Sequence, residues 1–300
     1  MYVILGATGH TGSVVANTLL NKGKRVRVVG RDSGKLAPFV SRGADAFVAN
    51  ALDAQALGRA FAGAEGVYAL IPPNHTSDDY LRYQAQVTDA IATAIEAAGV
   101  KHAVTLSGFG ADKPDKTGPI AGLHAMETKL NQIEGLNALH LRAGYFMENT
   151  LPQAGVIQSF GMMAGPVDAE VPLPMIATKD VGAAAADALL KLDFNGKQTQ
   201  ELQGQRNLNY NEAAKIIGEG IGKPGLAYER LPEDQVIQAL SSMGMSKHVA
   251  TLIVEMANAI NRGHVKTLEP RSAKNTTPTS FEQFVREAFV AAYKGQAAGA

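Results

Sequence analysis

Apolar residues recur in two rhythms along this chain. Short runs come first: Tyr2-Val3-Ile4-Leu5, Val26-Arg27-Val28-Val29, Ala46-Phe47-Val48-Ala49, Gly66 to Ile71, Ala103 to Ser107 and Ala138 to Arg142. They are near-continuous rather than alternating, as in strands covered on both faces. Between them, apolar positions fall at helical spacing. Val14, Val15, Leu19 and Leu20 form one stripe, and Leu81, Val87, Ile91 and Ile95 form another in a helix predicted from Asp78 to Ala98. Asp53 stands where it would cap a helix over Ala54 to Phe61, and Pro72-Pro73 stops the fourth run. This alternation predicts an α/β fold, a doubly wound parallel sheet with right-handed crossovers and its ligand at the carboxyl ends of the strands.

The second half is less regular. Helical patterns run from Glu148 to Phe160, Thr178 to Leu192, Asn211 to Gly220, Pro232 to Met243 and Ser246 to Ile260, with a late strand at Gln200-Glu201-Leu202. Phe281, Phe284, Val285 and Phe289 give a closing amphipathic helix. The expected organisation is a sheet domain over 1–150, with about 178–205 returning to it. A smaller, mainly helical lobe over 151–300 is expected to interleave with it, the substrate lying in the cleft between.

The turn after the first strand narrows the ligand. Gly6-Ala7-Thr8-Gly9-His10-Thr11-Gly12 joins strand to helix, and this spacing suits a dinucleotide pyrophosphate. Gly6 allows the tight turn, Gly9 lets the backbone approach the phosphates, and Gly12 lets the helix pack close to the sheet. His10 is expected to serve through its backbone N–H, at a helix N-terminus that favours an anion. Residues 1–150 therefore read as a Rossmann dinucleotide-binding domain. An NAD site carries an acid at the end of the second strand, whereas this chain has Arg31 there, with Lys35 one turn on and Asp32 between. A guanidinium can grip a 2′-phosphate bidentately, so NADP(H) is favoured over NAD(H). Asp53, Ile71, Pro72 and Ser107, at or after later strand ends, complete the expected cofactor contacts.

Composition removes other classes. The 300 residues balance 28 basic against 28 acidic side chains, leaving no electrostatic footprint for nucleic acid or an anionic membrane. There is no cysteine, hence no disulfide, thiolate metal site or thiol nucleophile. No histidine pair stands at ligand spacing, so no metal is expected. A strand at residue 2 leaves no room for a signal peptide and no apolar run reaches membrane-spanning length, so a cytoplasmic location is expected.

The glycine turn, Arg31 with Lys35, the Ser107-Gly108 strand end, His124 to Lys129, and Leu141 to Asn149 together resemble the NmrA-like branch of the atypical short-chain dehydrogenases. Thr178-Lys179-Asp180 and the Phe281 helix extend the likeness over nearly the whole chain. That branch includes NADPH-dependent quinone reductases, a triphenylmethane dye reductase, and redox-sensing regulators that bind dinucleotides without turnover. The resemblance implies that the segment with Gly144, Tyr145 and Phe146 lines the cofactor, with Asn149 fixing the turn by bonding backbone.

Ordinary short-chain dehydrogenases protonate a carbonyl with a tyrosine whose pKa is lowered by a lysine four residues on. None of the eight tyrosines here has Lys at that position. Lys129 stands near the lysine's place, but Ala125 precedes it by four and has no proton to give. The catalytic candidates are Lys129, expected to bond the nicotinamide ribose of the cofactor or polarise the acceptor, His124 as an acid or substrate contact, and Tyr145, whose ring with Phe146 can face a planar acceptor. Hydride transfer to a quinone or dye, which delocalises incoming charge, is the leading expectation. A dinucleotide sensor with a protein partner is the second. A phenylpropanoid-type reductase or isomerase using Lys129 as base is the third. A homo-oligomer is compatible with each.

Overall fold

The structure is a computed structural model describing residues 1–295; residues 296–300 of the expected second lobe lie outside the described residues. Its first strands and helices alternate: β1 (Tyr2–Leu5), α1 (His10–Asn21), β2 (Val26–Gly30), α2 (Ser33–Val40), β3 (Asp45–Val48), α3 (Ala54–Phe61) and β4 (Gly66–Ala69). Then follow α4 (Tyr80–Ala98), β5 (His102–Gly108), α5 (Ile120–Asn131) and β6 (Asn137–Ala143). After β7 (Tyr145–Phe146) come α6 (Gln153–Phe160), β8 (Met163–Gly165), β9 (Met175–Ile176), α7 (Thr178–Lys191) and β10 (Lys197–Leu202). The chain continues through α8 (Tyr210–Gly220), β11 (Tyr228–Arg230), α9 (Glu233–Ser242) and α10 (Lys247–Asn261). It closes on a helix over 281–293 whose middle, Val285–Phe289, is π-helical.

Seven strands form one sheet in the order β10-β6-β5-β4-β1-β2-β3, and every pairing in it is parallel. This is the doubly wound sheet that the alternation predicts. Strand residues divide by parity. Val3, Leu5 and Val67 pack under α3, α4 and α5 with Leu57, Phe61, Ile91 and Met126. Tyr2, Ile4 and Tyr68 face the other way, toward Val15 and Leu19 of α1, Leu36 of α2 and Val181 and Leu189 of α7. Both faces are thereby covered. α7 lies so close to α1 that a Cβ on Gly182 would stand 2.6 Å from the Val14 side chain.

The second lobe has its own core, where Ile157, Ala213, Ile217, Phe281 and Phe289 are buried together. Chain crossings tie it to the sheet. A Cβ on Gly144 would lie 2.1 Å from the Pro174 carbonyl oxygen, and one on Gly204 would lie 1.5 Å from that of Met175. Buried Glu201 accepts the Leu268 and Glu269 N–H groups, and Asp180 accepts both N–H and hydroxyl of Thr279. The helix expected over Glu148–Phe160 is broken: a 3-10 turn, Met147–Thr150, precedes α6. Pro152 lacks an N–H and cannot carry a helical ladder through its position, so α6 starts anew after it. Glu148 turns aside to accept the Thr178 N–H at 3.0 Å and its hydroxyl at 2.6 Å, capping α7.

Candidate functional site

Strand order reverses between β1 and β4, which opens a crevice at the carboxyl end of the sheet. The glycine turn lies at its floor. Gly6 leaves β1 with φ +70°, a left-handed conformation natural to glycine, and packs on Leu70. A Cβ on Gly12 would stand 2.3 Å from the Gly6 carbonyl oxygen, so Gly12 lets α1 start against the turn. Gly9 differs: a Cβ there would meet only the Gly6 oxygen, at 3.4 Å, and otherwise open space. Gly9 caps α1 without a side-chain bond, leaving the first-turn N–H groups facing that space. Thr8, Gly9 and His10 are exposed, Ala7 is buried, and Thr11 is buried with its hydroxyl accepting from Tyr68 at 2.9 Å. Such a cradle, walled by backbone donors and with no Cβ at Gly9, fits a pyrophosphate.

Arg31 and Lys35 are exposed beyond the end of β2. Asp32 is occupied: its carboxylate caps α2, accepting the Gly34 and Lys35 N–H groups at 2.8 and 3.3 Å. The Asp32 carboxylate is thus engaged with backbone, while the Arg31 and Lys35 side chains are exposed. Asp53 likewise caps α3, accepting the Ala56 N–H at 2.9 Å. Ile71 and Pro72 follow β4 on the far wall of the crevice, and the Pro72 carbonyl accepts the Tyr83 hydroxyl at 2.8 Å.

The part of the crevice expected to take the nicotinamide departs from several expectations. Lys129 is not brought to the crevice. Its Nζ pairs with Asp89 of α4 at 3.0 Å on the surface. It lies nine residues into α5, about 13 Å along the helix from the end that meets the crevice, and about 200° around from inward-facing Glu127. His124 anchors a loop: its Nδ1 donates to the Ala111 carbonyl at 2.8 Å, with Nε2 3.4 Å from the Thr128 hydroxyl. Ser107 is buried and donates to Glu127 at 2.6 Å, not into the cleft. The Tyr145 hydroxyl meets that of Tyr210 at 3.0 Å, and Tyr210 stacks on Tyr228 with centroids 4.3 Å apart. Burial raises the pKa of both Tyr145 and Tyr210, so both stay protonated. Among the described residues, no hydrogen bond to backbone is made by the Asn149 side chain; Glu148 fixes the turn instead. Neighbouring residues in β7 point oppositely, so Tyr145 packs into the second lobe while Phe146 packs on the sheet side.

Beneath this end runs a polar network that sequence reading missed. Arg142 grips Glu127 bidentately, Nε to Oε1 at 3.0 Å and Nη2 to Oε2 at 2.6 Å. Beside it, His140 lies between the Thr105 hydroxyl at 2.7 Å and Asn131 at 3.0 Å. Burial lowers the His140 pKa to about 4, so it is neutral. The signal for Glu127 was its place among inward-facing Met126 and Leu130.

Two cavities lie away from the glycine turn. One, about 650 Å³, is lined by Phe194, Lys191 and Lys274, and the other, about 480 Å³, lies between α9 and α10. No cluster of three or more metal-ligating side chains is found among the described residues, and no helix there is long and apolar enough to cross a membrane.

Sheet order and the strand–turn–helix opening define a doubly wound α/β protein of Rossmann type. A sequence profile of the NmrA-like family matches residues 2–285, and the chain belongs to that family. It is 28% identical over 258 residues to an NAD(P)H azoreductase of Xenophilus azovorans, covering 85% of this chain and 86% of that one. An NADPH-dependent quinone oxidoreductase of Escherichia coli, solved with NADPH, shares the fold at TM-score 0.80 and 24% identity, covering 95% of this chain and 98% of that one. The triphenylmethane reductase of Citrobacter sp., complexed with NADP(H), does so at TM-score 0.79 and 20% identity, covering 95% and 99%.

Proposed function

We propose that this chain is an NADPH-dependent reductase that passes hydride directly to a conjugated acceptor of the quinone or dye kind. The observation that carries this reading is the pairing of a phosphate cradle left open at Gly9 with a nicotinamide end that offers no lysine-activated tyrosine. Lys129 is held by Asp89 away from the crevice, and the Tyr145 hydroxyl is engaged by Tyr210. An acceptor reduced here must delocalise the incoming charge and take its proton from solvent. Bound NADPH supplies the hydride. The chain's own residues supply the cradle, the Arg31 and Lys35 charges for the 2′-phosphate, and an aromatic surface at Phe146. The activities named for the azoreductase, quinone oxidoreductase and triphenylmethane reductase support this reading, since each of their acceptors is conjugated. The Lys129 pairing with Asp89 gives no support to an isomerase that uses this lysine as base.

The test is NADPH oxidation against a panel of quinones, azo dyes and triphenylmethane dyes without added flavin. Deuterium on the transferring face of NADPH should appear in the product or slow a single turnover. Phe146→Ala should lower turnover by about 100-fold through misorientation. NADPH binding with neither deuterium transfer nor acceptor-dependent oxidation would replace this reading with a dinucleotide sensor.

A further inference from the structure

The loop from Leu70 to Asp79 leaves β4 at the point where strand order reverses, so whatever holds it shapes the dinucleotide crevice. Its hold comes from the other lobe. At the start of α10 the Ser246 N–H donates to the His75 carbonyl at 2.8 Å, and the Ser246 hydroxyl donates to the Ser77 carbonyl at 2.5 Å. Two residues on, His248 Nδ1 accepts the Tyr80 backbone N–H at 2.9 Å. That N–H belongs to the first residue of α4 and has no acceptor within its own helix. Asp79 caps the same helix by accepting the Arg82 N–H at 3.1 Å, and the second lobe adds the acceptor for the Tyr80 N–H. Tyr80, Val249 and Leu252 bury an apolar patch below these bonds, edged by Tyr83 and Met245.

From Tyr80 the contacts run on to the cofactor side. Its ring stacks on Tyr83 with centroids 5.9 Å apart and planes at 27°. The Tyr83 hydroxyl donates to Pro72, directly after β4. Burial raises the Tyr83 pKa, and the Arg31 charge opposes that rise.

We propose that His248 is a positioning residue for the dinucleotide: by holding Tyr80, and through it Tyr83 and its bond to Pro72 at the end of β4, it lets the second lobe set how tightly the crevice holds the dinucleotide. The proposal rests on the crevice binding NADP(H), and is independent of which acceptor is reduced.

The experiment is calorimetric titration of NADP+ into the parent, His248→Leu, His248→Asn and Tyr83→Phe, with amide exchange across residues 74–83 measured without cofactor. His248→Leu should bind NADP+ about tenfold more weakly and exchange faster over that segment, as expected for one lost hydrogen bond at a helix start. His248→Asn can place an oxygen where Nδ1 stands, and should restore both values. Tyr83→Phe, which keeps the ring and drops only the bond to Pro72, should weaken NADP+ several-fold. In turnover the His248→Leu effect should fall on KM for NADPH, leaving kcat at saturation unchanged. Parent-like NADP+ affinity in both His248→Leu and Tyr83→Phe overturns the proposal, as does an Asn variant as weak as the Leu variant. Absent acceptor reduction with these binding differences intact would count against the proposed reaction and leave the positioning role standing.

Discussion

At the residue scale, two glycines of one turn do different work, and substitution separates them. Gly9→Val projects into open space, so it should leave the fold intact and abolish dinucleotide binding. Circular dichroism and NADPH fluorescence check the two halves of that outcome. Gly12→Val must displace the Gly6 carbonyl and should lower stability as well as binding. Arg31→Ala should remove most of the preference for NADPH over NADH, a charge-assisted contact contributing about 1.5–3 kcal/mol, read from the two dissociation constants. His140 carries a pH dependence. Its pKa is about 4 folded against 6.5 unfolded, so the unfolded chain binds the proton more readily. The contribution is complete above pH 6.5 and fades as pH falls toward 4. It amounts to about 2 kcal/mol between pH 7 and pH 5. Denaturant unfolding at both pH values should show the parent losing that much more than His140→Gln.

Among the elements, those with a clear period were legible and those without were not. The six runs that predicted strands and the alternation between them were visible because buried parallel strands are near-continuously apolar. β7, β8, β9 and β11 span two or three residues each, too short to show any period. The break at Pro152 was written in the chain, yet the apolar stripe beyond it concealed the restart. Asp53 was legible as a cap from its place before a helical stripe. Lys129 was misplaced because distance along α5, and not helix membership, decides what reaches the crevice. Glu127 and Arg142 were quoted only as parts of a motif, since a buried ion pair on two elements leaves no local pattern. Arg142→Met should test that pair: stranding Glu127 in the interior should cost about 3–5 kcal/mol of unfolding free energy.

Over the whole molecule, neither lobe is a finished body alone. β10, the sheet's seventh strand, and α7, the helix packed on α1, both come after the second lobe has begun. A fragment ending at residue 150 would expose the β6 edge and the back of α1, and should show no cooperative melt by circular dichroism. The Gly144 and Gly204 crossings then carry a practical consequence. Where backbones pass with no room for a side chain, one half cannot loosen without the other, so heating should produce a single transition. A ligand in the crevice raises the stability of everything coupled to it. At 100 times its dissociation constant that is about 2.7 kcal/mol, a rise on the order of 5 °C for a chain of this size. A melting curve followed anywhere in the protein becomes a gauge of what sits in the crevice, and dinucleotides and acceptors can be ranked with nothing more than a thermometer and a dye.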